Sequence, residues 1–327
     1  MGGTRNRTLM QSQEMQCCFL GLIIQLFSAM NRCKSIIFGA ILGFIPGALP
    51  AQSGDPALGE QLTRSYNAWR NAFMRRDARQ WQALTAPHRQ MEVKNRILSE
   101  KRAFPASIFQ VPVPPPSLEG LKLINLSQSG ATAKGVWFGP VNFGIGGDPS
   151  DNLLALSFVS GGGRWLYDRA DFVNLAELPE VRKELKSGDY SYIKEVPEAR
   201  ASGTVPPNPM PVGRAKYIAK VYAFCPGREL NVQINRISRH RFANNKDAEV
   251  ILGGARDGLN EITYAVKGME GATGKEAFAL RVYLMSEIEG TKPIIAFERI
   301  AKEGEPVKGF ETATFTLDPA TAAKLVP

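Results

Sequence analysis

The sequence predicts an α+β domain, in which helices precede an antiparallel sheet, followed by an all-β sandwich. Three observations carry this. Apolar residues recur at helical spacing from Leu58 to Leu98, the period changes to two after the proline break Pro112–Pro116, and the second half is period-two almost throughout. Between the halves, Glu195–Gly213 holds Pro197, Pro206, Pro207, Pro209 and Pro211 with few aliphatic residues, a composition that favours an extended, backbone-solvated spacer. The expected layout is a first domain at 52–194, a linker at 195–213 and a second domain at 214–327.

Ahead of these, residues 1–51 read as a bacterial-type export signal. Asn31-Arg32-Cys33-Lys34 supplies a basic start, Ser35–Ala48 an apolar run, and Ala48-Leu49-Pro50-Ala51 a small-residue cleavage site. An earlier apolar run, Cys17–Met30, is interrupted by Gln25; the 14 residues of Ser35–Ala48 fall short of the roughly 20 that a spanning helix needs. Met30 is therefore the expected initiator, and cleavage is expected after Ala51. Gln52 stands where a lipoprotein would need its acylated cysteine, so the expected product is periplasmic or extracellular, with an anchor left by an uncleaved signal as the alternative.

Without residues 1–51, which carry Arg5, Arg7, Arg32, Lys34 and Glu14, the net charge of +9 falls to +6. That is mild, and no nucleic-acid partner is expected. Of the four cysteines only Cys225 lies beyond Ala51, which leaves no internal disulfide; in the apolar stretch Tyr222–Pro226 it reads as a small buried residue. A chain of this length builds two ordinary cores without one.

In the first domain Leu58, Leu62, Tyr66, Trp69 and Phe73 share one helical face, opposite Arg64, Asn67, Arg70, Asn71 and Arg75. Asp77 is placed to cap a short helix bearing Trp81 and Leu84, and Pro87 suits the first turn of a third carrying Met91, Ile97 and Leu98. His88, in that first turn, is expected to be exposed or capping. Strands are expected over 121–126, 131–143, 152–159 and 164–172, the last two joined through Gly161-Gly162-Gly163 as a tight hairpin.

This element order, the aromatic helix followed by Arg76-Asp77 and Trp81, and the glycine hairpin leading into Arg164-Trp165-Leu166-Tyr167-Asp168 resemble the nuclear transport factor 2-like (cystatin-like) superfamily over about residues 55–190. The resemblance implies a curved antiparallel sheet that wraps a long helix into a cone with a pocket inside. Its members include ketosteroid isomerase, SnoaL-type polyketide cyclases, dehydratases and proteins with no catalysis. Isomerase chemistry needs a carboxylate base and a tyrosine or protonated acid aimed at the substrate oxygen in a dry pocket. Asp168, Asp171 and Tyr167 are the right types, but a strand puts Tyr167 and Asp168 on opposite faces, and no motif of the catalytic members matches them. Pairing with Arg164 or Arg169 at a rim is expected instead. Trp137 sits beside Phe138 in mid-strand, so one of the two faces the pocket. Trp137, Tyr167 and Asp168 are the candidate ligand-binding residues.

In the second domain 230–235, 262–267 and 278–284 alternate apolar with polar residues, each a half-buried strand. With 217–224, 248–252, 293–297 and 310–317 they make about seven turn-bounded strands, hence a sandwich. Asp257-Gly258-Leu259-Asn260-Glu261-Ile262 resembles the turn-then-strand signature of jelly-roll and immunoglobulin-like accessory domains on exported carbohydrate-active proteins, which implies lectin-like activity but carries no binding residue across. Arg236, Arg239, His240, Arg241 and Lys246 form the densest basic cluster, in what reads as a connection between strands. It is either a solvated loop protecting a sheet edge or, through Arg236, Arg239 and Arg241, a contact for anionic polysaccharide or lipid headgroups.

No catalytic constellation assembles from these residues. Gly144–Asp148 lacks the strand-to-helix context and lysine of a phosphate loop, and Asp148, Asp151 and Asn152 lack the spacing of a calcium loop. Two histidines and one remaining cysteine are too few for a nitrogen–sulfur metal site. A Ser/His/Asp triad would have to recruit His88 or His240 without local support. The expectation is an exported, non-catalytic two-domain binding protein of the cell envelope, without cofactor or metal, whose partner is a small molecule, a glycan or an envelope protein. The alternatives are a cyclase or isomerase using the cone pocket, and a glycan-binding module.

Overall fold

The computed structural model describes residues 55–141, 150–196, 199–288 and 290–326; the expected export signal and Gly144–Asp148 lie outside the described residues. Helices occupy the N-terminal side and three antiparallel four-stranded sheets follow, so the chain is α+β. Packing divides it into two compact units. One joins residues 55–90 with the described residues of 111–207, the other joins Met91–Gln110 with the described residues of 208–326.

The first unit begins with α1 (Pro56–Met74), where Asp55 caps the Ala57 N–H and proline takes the first turn. Leu58, Leu62, Tyr66, Trp69 and Phe73 form its buried stripe. Asp77 caps α2 (Ala78–Leu84) through the Gln80 N–H, and α3 (Pro87–Ser99) follows. The sheet runs in the order β1 (Lys122–Ser129), β2 (Thr132–Val141), β3 (Ser150–Gly161), β4 (Arg164–Val173). Gly162 and Gly163, at φ 59° and 74°, close the β3–β4 hairpin, because both central positions of this turn need positive φ.

One sheet face, with Val136, Phe138 and Leu153, packs on Leu175, on Leu185 of α4 (Pro179–Ser187) and on Ile193 of α5 (Ser191–Glu195). By alternation Trp137 shares the other face with Phe158, whose ring meets Tyr167. Periodicity missed α4 and α5 because their charged sequences bury few side chains.

The second unit holds β5 (Ile218–Phe224), β6 (Arg228–Ile234), β7 (Ser238–Ala243), β8 (Lys246–Val250), β9 (Gly258–Gly268), β10 (Phe278–Met285), β11 (Ile294–Ala301), β12 (Phe310–Leu317) and a short α6 (Pro319–Ala322). They form two sheets, β11-β10-β5-β8 and β12-β9-β6-β7. Val221, Leu280 and Val282 from one and Leu230, Val232 and Ile262 from the other enter a single core. The residues expected to connect strands contain β7: Ser238, His240 and Phe242 point inward and Arg239 and Arg241 outward. Two inward polar side chains hid the alternation.

Helix α3 helps to build this second unit from Met91 onward. Asn95 Nδ2 donates to the Met210 carbonyl at 2.8 Å and Oδ1 accepts the Val212 N–H at 3.0 Å, while Ser99 Oγ accepts the Gly253 N–H at 2.9 Å. In the first unit, Ser127 Oγ accepts the Ala201 N–H and Thr132 Oγ1 the Gly203 N–H, both on side chains of the sheet. The proline-rich segment thus has named partners at both ends, supplying the backbone hydrogen bonds its extended form cannot make internally.

Candidate functional site

Aromatic rings from α1 and the sheet meet in the first unit. Trp69 stacks on Tyr167 with ring centroids 3.8 Å apart and on Tyr66 at 5.7 Å, and Phe158 lies edge-on to Tyr167. Such contacts add to the burial that orders these side chains. Trp69 Nε1 donates to Thr85 Oγ1 and the Tyr66 hydroxyl donates to the Pro116 carbonyl, so both polar handles are satisfied. Burial pushes the Tyr167 phenol well above its ordinary range, the neighbouring Tyr66 adding to the shift; burial raises Tyr66 likewise.

Thr85 bridges to Tyr167 and the Ala86 N–H donates to the Tyr167 carbonyl at 2.7 Å, covering the β4 edge. Beside it the β3–β4 register slips: Phe158 pairs with Tyr167 and Ser157 with Arg169, so Asp168 has no strand partner. This bulge re-aims the side chain. Asp168 Oδ1 receives His88 Nε2 at 2.8 Å and Arg89 Nε at 3.3 Å. His88 is 2% exposed, contrary to the exposed or capping position expected of it, because the Thr85–Ala86 bridge draws the start of α3 against β4. The expected pairing forms at Asp171, which holds Arg169 and the buried Lys134, and not at Asp168, since Arg164 donates to the Ala83 carbonyl.

The structure therefore holds the Asp168 carboxylate at the start of α3, while the ring of the neighbouring Tyr167 packs on Trp69 of α1. Trp137 is buried against its own strand: a Cβ on Gly135 would lie 2.5 Å from its ring. A second feature, absent from the sequence reading, is a groove of about 460 Å³ between α1 and β1. Leu123 and Leu126 give it an apolar floor, and the exposed Glu60–Arg64 pair stands at its rim. Its sequence trace is Gly59 on the apolar face of α1, where a Cβ would sit 3.0 Å from methyls of both leucines.

In the second unit Arg239 and Arg241 project from β7, and Arg236 occupies the β6–β7 turn at φ 62°. Arg236 pairs with Glu261 at 3.2 Å and Arg241 with Glu229 at 2.7 Å. Hydrogen bonds from Arg241 and then Asn231 hold the Glu229 carboxyl down at about 2. Behind this face, Ser238 Oγ lies 2.7 Å from His240 Nε2, and His240 Nδ1 lies 2.6 Å from Glu249 Oε2. The order is that of a nucleophile, base and orienting acid. Ser238 is 0% exposed, however, and its Oγ already accepts the Leu252 N–H, so the relay is closed to substrate. Cys225 is also buried, and burial pushes its thiol up, which makes it a poor nucleophile.

Among the described residues no group of three or more His, Cys, Asp or Glu side chains is placed to hold a metal, and no helix is long and apolar enough to cross a membrane. No protein-family model, curated protein or solved structure matches this chain.

Proposed function

We propose that the chain is an exported, non-catalytic binding protein of the cell envelope, with a nuclear transport factor 2-like cone and a β-sandwich. One observation carries the non-catalytic part. Tyr66, Trp69, Phe158 and Tyr167 fill the space between α1 and strands β3 and β4, where such a cone would take a substrate, and Asp168 Oδ1 is engaged by His88 and Arg89 of α3. A general base needs a lone pair aimed at the substrate proton, and those of Asp168 Oδ1 are aimed at the protein. The cone reading is supported by the long amphipathic α1 on a four-stranded antiparallel sheet, the sandwich by two sheets around one core, and export by the pattern of residues 31–51. The α1–β1 groove, with its apolar floor and polar rim, suits a small apolar ligand.

A buried carboxylate beside a buried, neutral tyrosine favours a second reading, a cyclase or isomerase using Asp168 and Tyr167. Expression of the full chain in a bacterium, followed by mass analysis of the product and turnover assays on apolar carbonyl compounds, separates the two. Export predicts a chain starting at Gln52, and binding predicts ligand-dependent thermal stabilisation and no turnover. Turnover abolished by Tyr167→Phe or Asp168→Asn would establish the enzyme; a full-length cytoplasmic product would remove the export reading.

A further inference from the structure

We infer that the outward face of the sheet β12-β9-β6-β7 binds an acidic polysaccharide, a glycan chain bearing uronate carboxylates. This inference rests on the chain being a binding protein and gives it a second site, apart from the α1–β1 groove. Register defines two rows across the four strands. Phe310, Ala265, Asn231 and Arg241 form one, exposed along its whole length; Thr312, Thr263, Gln233 and Arg239 form the next.

Each row thus steps from an aromatic or hydroxyl through an amide to a guanidinium. Neighbouring strands lie about 4.8 Å apart, close to the rise of one sugar in an extended pyranose chain, so a glycan crossing the strands meets one side chain per ring. Phe310, 66% exposed beside the small Ala265, is a platform for the C–H face of a sugar. Asn231, Gln233, Thr263 and Thr312 donate to and accept from hydroxyls. The guanidinium fork matches a carboxylate in two places at once.

Charge selects an acidic glycan over a neutral one. Arg236, Arg239, Arg241 and Lys267 stand on or beside this face against the carboxylates Glu229 and Glu261, which Arg241 and Arg236 already hold. Arg239, between those two pairs, has no carboxylate within ion-pair distance among the described residues. A protein partner would call for a larger apolar centre than Phe310 and Leu259 supply from opposite ends of this face, and single-stranded nucleic acid for a series of stacking aromatics.

Affinity electrophoresis of the full chain in native gels tests this, with alginate as the uronate probe, dextran as the neutral control, and sedimentation with anionic phospholipid vesicles alongside. Retardation by alginate and not dextran, weakened by salt, is expected. Arg239→Ser and Phe310→Ser should each weaken it at least tenfold with Tm unchanged, since both side chains are exposed. Absence of retardation, retardation of both variants equal to that of the unaltered chain, or vesicle binding without alginate binding would overturn the proposal. Shortening of the alginate during the run, with retardation still lost in Arg239→Ser, would support this surface and overturn the non-catalytic reading.

Discussion

The chain has two histidines, one in each compact unit, and both are buried against a carboxylate, but they hold the structure in different ways. His88 reaches Asp168 across 80 residues of sequence and shares its oxygen with Arg89, so a helix start is pinned to a sheet edge by charge. His240 works within one neighbourhood, between Ser238 two residues away and Glu249 nine residues away. Those partners sit on β7 and β8, the edge strands of the two sheets around the second core, so the relay ties edge to edge. A carboxylate that gathers two nitrogen donors is costly to remove. A hydroxyl relay with a backbone donor at one end is less so.

The largest expected effect follows from Asp168→Ala, which strips His88 and Arg89 of their shared oxygen; breaking a buried pair costs about 3–5 kcal/mol. All four tryptophans, Trp69, Trp81, Trp137 and Trp165, lie in the first unit, so tryptophan fluorescence during urea unfolding reports this loss directly. A loss below about 1 kcal/mol would place the bridge among weak surface pairs. Ser238→Ala should cost less, about 1–3 kcal/mol, by leaving the Leu252 N–H and His240 Nε2 without their partner. Far-UV circular dichroism checks it through the second unit's strands, and an effect as large as that of Asp168→Ala would erase the contrast between the two networks.

Gly135→Ala in the first unit drives a Cβ to 2.5 Å from the Trp137 ring, an overpacking worth about 1–3 kcal/mol. Trp137→Leu should recover part of that loss in the double variant. The smallest effect concerns pH. Glu229 and Glu311 are held at about 2 by hydrogen bonds from Arg241 and Arg299 respectively, below the ordinary 4.5. Their depressed folded values mean that they stabilise the second unit above about pH 4.5, and that this contribution fades as pH falls towards 2. Acid titration of Glu311→Gln followed by circular dichroism should therefore show a flatter decline than the unaltered chain; identical curves would mean that the pair with Arg299 does not contribute.

Much of the element structure was legible because its signals are local. The heptad-like stripe of α1, the Asp77 cap of α2, the hairpin glycines and the strand Phe310–Leu317 each depend on side chains a few residues apart. Strand β7 was lost to the same logic, since a serine and a histidine occupy inward positions that alternation reserves for apolar residues. Of the candidate residues, Tyr167 and Asp168 were visible by type, while the partners that decide their chemistry were not. His88 lies on another element, and the bulge that turns Asp168 toward it follows from pairing between whole strands.

By itself the sequence determined which segments become helices and strands and which side chains are available to bury, because periodicity, capping and glycine dihedrals act within a turn or a strand. Only the tertiary structure decided that α3 past Gln90 belongs with the strands after Asn208, that Asp168 answers to His88 and Arg89, and that Phe310 and Arg239 share one exposed face. Those outcomes depend on register and on contacts between distant residues, which form when many weak local preferences are satisfied together.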